Sequence, residues 1–167
     1  ITLTPSHVAD TYKPIDVITY EDKRFYYCNC KTLNLIPSCL AATAADRAGC
    51  QEAIFHRGDL VTECAHSNVS IFKDGKVITH QLDDKVLPGT ARIRLLAFAK
   101  KLGYGVEERD YTLDELMNAD EIIVHSTGSF CIPVKTVDGK PVGGKAPEML
   151  KTIQDALVKD FEEQCKA

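Results

Sequence analysis

The sequence predicts a mixed α+β or α/β domain built around a mostly antiparallel sheet. Three observations carry that expectation. Two turn signals, Arg57-Gly58-Asp59 and Asp74-Gly75, each divide runs rich in β-branched and aromatic residues into hairpin-sized halves. Helical stretches occur singly between strands, without the regular alternation of a parallel doubly wound sheet. The 167 residues, 44% hydrophobic and 26% charged, suffice for one domain with a substantial core.

The elements follow in order. Residues 16–20 and 24–28 read as strands, with the charged Glu21-Asp22-Lys23 between them. Residues 36–48 read as a helix: Pro37 suits the first turn, alanines fill the body and Gly49 suits the end. Residues 52–56 and 60–63 form the first hairpin, 68–73 and 76–80 the second. A helix is expected over 90–102, with Ile93, Leu96, Ala97 and the stem of Lys100 on its inner side and Gly103 at its end. Residues 104–111 read as a strand, and Thr112-Leu113-Asp114-Glu115 as a capping box opening a short helix. Residues 121–126 form an apolar strand. A strand over 131–137, a turn at Asp138-Gly139 and an amphipathic helix over 146–163 complete the chain.

Several function classes find no support. The net charge is -4 and no Lys/Arg run is present, so nothing marks a nucleic-acid surface. No apolar stretch approaches the roughly 20 residues that span a bilayer. Seven cysteines, an odd number irregularly spaced, suit reduced thiols in a cytoplasm better than a disulfide scaffold. Cys28 and Cys30 lack a second pair at ligand spacing. The histidines at 7, 56, 66, 80 and 125 show no metal pattern, and no serine sits in a nucleophile elbow. A metal site is therefore not expected.

Four segments combine reactive or anion-binding groups with strand ends. Lys31 lies between a strand and a helix, where an amine held in a cleft and desolvated becomes a nucleophile towards carbonyls. Glu63 ends a strand, where a carboxylate can keep a pyridinium nitrogen protonated. Leu87-Pro88-Gly89-Thr90-Ala91 feeds a helix N-terminus, whose unbonded N–H groups and dipole suit a phosphate. Ser126-Thr127-Gly128-Ser129 places hydroxyls at another strand end. Read singly, each also has an ordinary meaning: a loop lysine, a polar turn, Pro-Gly punctuation, a polar strand end.

Together and in this order, the segments resemble the fold-type IV pyridoxal-phosphate enzymes, with D-amino-acid aminotransferase the nearest pattern. The likeness runs through Lys31-Thr32-Leu33-Asn34-Leu35, residues 49–57, Val61-Thr62-Glu63, Asn68-Val69, Lys73-Asp74-Gly75, Thr79-His80, Leu87-Pro88-Gly89, Ser126-Thr127, Pro133-Val134 and Asp138-Gly139-Lys140. The resemblance implies the large C-terminal domain of that fold, a half-barrel sheet flanked by helices. It implies pyridoxal 5'-phosphate as cofactor and transamination between an amino acid (D- or branched-chain L-) and a 2-oxo acid. Lys31 would be the Schiff-base lysine that shuttles the substrate α-proton, and Glu63 would face the pyridine nitrogen. Leu87 would pack on the ring, while Gly89, Thr90, Ala91 and Thr127 would bind the phosphate. Arg24 matches an arginine of the surrounding hydrogen-bond network, and Ser126, Gly128 and His66 would lie on the substrate side. The same fold, lysine and glutamate also occur in 4-amino-4-deoxychorismate lyase, and a degenerate non-catalytic domain is a further alternative.

The sequence departs from the family pattern in places. Cys64, Ala65 and His66 stand where glycine and small hydroxyl residues are usual, and Ser70 where an aromatic is usual. Ala91 replaces a phosphate-binding threonine, a loss of about 1.5–3 kcal/mol if one hydrogen bond to the phosphate goes unmade. The chain begins at Ile1 with no signal-peptide pattern, and the resemblance implies an N-terminal domain preceding it. All 167 residues are then one cofactor-binding domain, inactive alone and homodimeric when joined to that domain.

Overall fold

The computed structural model describes residue 4 and residues 8–166, leaving His7 outside the described residues. Among these, nine strands form one sheet: β1 (Ile15–Glu21), β2 (Glu52–Arg57), β3 (Leu60–Cys64), β4 (Asn68–Lys73), β5 (Lys76–Thr79), β6 (Gly105–Glu108), β7 (Glu121–His125), β8 (Ile132–Val137) and β9 (Lys140–Pro141). Their order is β3-β2-β1-β8-β7-β4-β5-β6, with β9 added on β8. The pairs β1/β2, β1/β8 and β5/β6 are parallel and the others antiparallel, so the sheet is mixed with antiparallel pairing prevailing.

The path curls into a half-barrel. Val17, Ile54 and Val61 of β1–β3 share one apolar cluster with Val69, Ile71, Ile78 and Ile122 of β4, β5 and β7. Burying both sets against each other removes more apolar area from water than a flat sheet would. The two ends of the path also meet. Val61 N–H donates to Tyr111 O at 3.0 Å, and Leu60 bridges Thr112, just beyond β6. The Asp74-Gly75 and Asp138-Gly139 turns each have two successive residues at positive φ, as tight hairpin turns with right-handed strand twist require.

Helices flank the sheet. In α1 (Ile36–Arg47), Ala41 and Ala45 bring the helix close to Ala53, Phe55 and Ala65. In α2 (Thr90–Lys101), Leu95, Leu96 and Ala99 cover Phe72, Val77 and Ile123. The short α3 (Leu113–Met117) opens on the expected capping box, with Thr112 Oγ1 accepting from Glu115 N–H. Met149, Ile153 and Leu157 of α4 (Pro147–Cys165) join the α2 cluster.

Two local expectations fail. Residues 24–28 form no strand: Cys28 N–H leaves the sheet direction to bond Asp84 O, and Tyr27 turns the chain at φ 71. The inner face of α2 is Ala91, Arg92, Leu95, Leu96 and Ala99, whereas Ile93 is exposed and Ala97 outward. Apolar spacing alone leaves the helix rotation open. Arg92 settles it, because its buried guanidinium bonds His80 O at 3.0 Å and Glu108 at 2.8 Å.

Candidate functional site

Glu63 occupies the end of β3 with its side chain 7% exposed. Its Oε1 accepts from Arg24 Nη1 at 2.5 Å, and its Oε2 accepts from Asn68 Nδ2 and Leu87 N–H, both at 2.9 Å. A carboxylate offers about four lone-pair positions, so these three donors leave one on Oε1 for a further N–H. Burial pushes the Glu63 carboxyl above its ordinary value, and Arg24 and the Leu87 N–H pull against that rise. The result is a carboxylate held by fixed donors with room for one more, which fits a protonated ring nitrogen.

Arg24 is the hub behind it. Its Nε and Nη2 bond the two oxygens of Asp22 at 2.9 Å each, Nη2 also reaches Lys85 O at 3.1 Å, and the guanidinium lies 4.5 Å from the Phe55 ring centroid. Burial by itself would lower the Arg24 guanidinium, but the bond to Asp22 and the charge of Glu63 hold it above its usual value. In the sequence Asp22 is only part of a charged connection. In the structure its side chain is fully buried, and it also accepts from Arg57 Nε at 3.0 Å and Thr62 Oγ1 at 3.2 Å. Asp22 and Arg57 are thus site residues that sequence reasoning misses. Their signal is present only as two charges flanking Arg24 and Phe55, which looks like any solvated stretch.

Asn68 joins this network to the next segment, because Nδ2 bonds Leu87 O as well as Glu63. Its side chain also explains Gly89. A Cβ at Gly89 would stand 2.2 Å from Asn68 Oδ1, so the requirement for glycine is space, not an unusual φ. Gly89 is the N-cap of α2, without a side-chain cap, and the first-turn N–H groups of Thr90 and Ala91 have no intrahelical acceptor. Thr90 Oγ1 meets Thr127 Oγ1 at 2.9 Å. A helix N-terminus and two converging hydroxyls together suit a phosphate dianion.

The remaining expected residues stand apart from this network. Among the described residues, no hydrogen bond joins Lys31, His66, Ser126 or Gly128 to it. Lys31 is exposed and has no side-chain hydrogen bond or ion pair among those residues, so the expected desolvating cleft is not formed by this chain alone. Ser126 Oγ pairs with Ser129 Oγ at 2.7 Å, and Gly128 O accepts from Ala9 N–H at 2.9 Å. His66 Nδ1 lies 2.9 Å from Glu52 Oε2, whose hydrogen bond raises the imidazole above its usual value against partial burial. Two concavities of about 530 and 470 Å³ lie elsewhere, one beside Asp16 and Asp138, the other beside Lys76 and Arg109. The candidate site is an open face.

Exposed apolar residues flank Lys31 along the chain: Phe25 and Tyr27 are each 75% exposed, Ile36 72% and Leu33 96%. Isolated exposed side chains are ordinary, but several in one short segment make a surface suited to being covered.

The family model for class IV amino-transferases matches residues 2–137. A D-alanine aminotransferase of Listeria monocytogenes serotype 4b is 41% identical over 150 residues, which make up 89% of this chain and 52% of that protein. The D-alanine aminotransferase of Bacillus licheniformis is 37% identical over 166 residues, 93% of this chain and 59% of that protein. Among solved structures, the branched-chain amino acid aminotransferase of Escherichia coli superposes with a TM-score of 0.82 at 28% identity, covering 93% of this chain and 55% of that one. The T.th. branched-chain amino acid aminotransferase complexed with N-(5'-phosphopyridoxyl)-L-glutamate gives 0.79 at 28% identity, covering 89% and 52%. The chain spans about half the length of these proteins.

Proposed function

Because the chain belongs to the class IV aminotransferase family, we propose that it is the cofactor-binding half of a pyridoxal-phosphate aminotransferase acting on a D-amino acid and a 2-oxo acid. The observation that carries this reading is Glu63, a buried carboxylate with three fixed donors and one acceptor position to spare, in a chain with 41% identity to a D-alanine aminotransferase. When bound, pyridoxal 5'-phosphate supplies the electron sink that stabilises a carbanion next to the amino nitrogen.

The residues divide the work. Glu63 would keep a proton on the ring nitrogen, Arg24 favours the ionised form of Glu63, and Asp22 holds Arg24 in position. The N–H groups of Thr90 and Ala91 and the hydroxyls of Thr90 and Thr127 hold the phosphate. Leu87, placed by its backbone bonds to Glu63 and Asn68, would pack on the ring. Lys31 Nζ would hold the cofactor and, once the substrate amine has taken its place there, would take the α-proton from substrate and return it. Ser126, Gly128 and His66 border the substrate. The exposed apolar residues flanking Lys31 are covered by the rest of the protein and by its second subunit in a cytoplasmic homodimer, and that cover desolvates the amine.

The test is 2-oxo acid formation from D-alanine, L-leucine and aminodeoxychorismate by the full-length protein. D-alanine should be the best substrate. Lys31→Ala should lower turnover by about 10²–10⁴-fold or more, as expected for loss of a proton-transfer group. It should also abolish covalent cofactor retention after borohydride reduction. Pyruvate from aminodeoxychorismate without an amino acceptor would support a lyase instead.

A further inference from the structure

Just past the end of β5, His80 is buried, with its side chain 2% exposed, and its ring is fixed by a bond from Nδ1 to Val61 O at 2.8 Å. A carbonyl only accepts, so Nδ1 carries the hydrogen and Nε2 is the nitrogen turned outward. Nε2 faces Asp83 Oδ2 at 3.2 Å and Asp110 Oδ1 at 3.5 Å, and the three atoms all lie within 4.8 Å of one another. Two carboxylates and an imidazole nitrogen thus converge, a set of ligand types that suits a transition-metal ion.

We propose that His80 Nε2, Asp83 and Asp110 form a binding site for a divalent transition-metal ion, Zn²⁺ by ligand type. With ligand bonds of about 2.0–2.2 Å, the edge of a tetrahedral Zn²⁺ site is roughly 3.4 Å. The two edges from Nε2, 3.2 and 3.5 Å, already have that length, and the third edge is no longer than 4.8 Å. The outer-shell arrangement is also present, since ligating histidines are oriented by donating the other ring N–H to a carbonyl or carboxylate. Asp83 and Asp110 are 21% and 40% exposed, so the fourth position opens to solvent and the ion has access. Imidazole disfavours Ca²⁺ and Mg²⁺, which take oxygen ligands.

Other groups compete for these oxygens. Lys85 Nζ bonds Asp83 Oδ2, and Gln81 Nε2 bonds Asp110 Oδ1 at 3.2 Å. An incoming ion would displace Lys85 from Asp83. The chain between 80 and 89 carries Lys85 O, bound to Arg24, and Leu87 N–H, bound to Glu63. The ion would therefore tie the cofactor-facing loop to the barrel. No sequence spacing announces this site, because Asp110 reaches it only through the pairing of β5 with β6.

The test uses the full-length protein with its cofactor, stripped with EDTA and dialysed against Zn²⁺ or Co²⁺, with Mg²⁺ and Ca²⁺ as comparators. One bound Zn²⁺ per chain is expected, with affinity at least about tenfold weaker in Asp110→Asn and Asp83→Asn. Lys85→Met, which removes the competitor, should tighten binding. Co²⁺ should give d–d bands without thiolate charge transfer. Cys28 makes that control necessary, since its N–H bonds Asp84 O beside the site. Absence of Zn²⁺ uptake, uptake unchanged in both aspartate variants, or thiolate bands lost on replacing Cys28 would each overturn the proposal.

Discussion

Acidification offers a quantitative test of the packing beneath the site. His125, at the end of β7, is completely buried; its Nε2 lies 2.9 Å from Ser70 Oγ and its Nδ1 has no partner among the described residues. Burial, reinforced by the nearby charge of Arg92, lowers its pKa from 6.5 to about 3. A depressed pKa gives stability that is complete above the unfolded value of 6.5 and is lost as pH falls towards 3. Between about pH 7.5 and pH 5 the unfolded chain takes up a proton that the folded ring refuses, which costs about 2 kcal/mol of stability. The figure depends only on the folded value lying well below 5. His66 acts in the opposite sense: its raised value gives stability present below the unfolded value and lost as pH rises. The background must therefore be subtracted. Urea unfolding of the protein and of His125→Asn at the two pH values isolates the contribution of His125. The wild type should lose about 2 kcal/mol more than the variant on acidification. Equal losses would show that His125 is not held neutral by burial.

Three further outcomes are expected. Asp22→Asn leaves Arg24 and Arg57 short of a buried counter-charge and should destabilise the protein by about 3–5 kcal/mol, read from the shift in denaturant midpoint. Gly89→Ala should cost about 1–3 kcal/mol of stability and weaken cofactor binding, and Asn68→Ala in the same chain should restore part of the stability by removing the clashing oxygen; additive losses in the double variant would refute the space argument. Thr127→Val removes one hydroxyl of the Thr90–Thr127 pair and should weaken cofactor binding by about tenfold or more in equilibrium titration, with little change in unfolding midpoint.

Much of the fold is a local matter, which is why it is legible along the chain. The turns at Asp74-Gly75 and Asp138-Gly139, the capping box at Thr112 and the alanine-rich α1 each follow from a few neighbouring residues whose backbone preferences agree. Glu63, Gly89-Thr90 and Thr127 are recognisable as an ordered set because their positions along the chain match a family pattern. Local preference and pattern thus account for most of the elements, the prevailing antiparallel pairing and the candidate cofactor residues. How those residues are held is a matter of three-dimensional packing. Asp22 reads as a solvated charge until β1, β2 and β3 enclose it with Arg24 and Arg57. The rotation of α2 depends on what Arg92 finds to bond, and His80 meets Asp110 only across the sheet. Electrostatic partners are chosen by distance in space and by exclusion of water, neither of which is written in the spacing of residues along a chain.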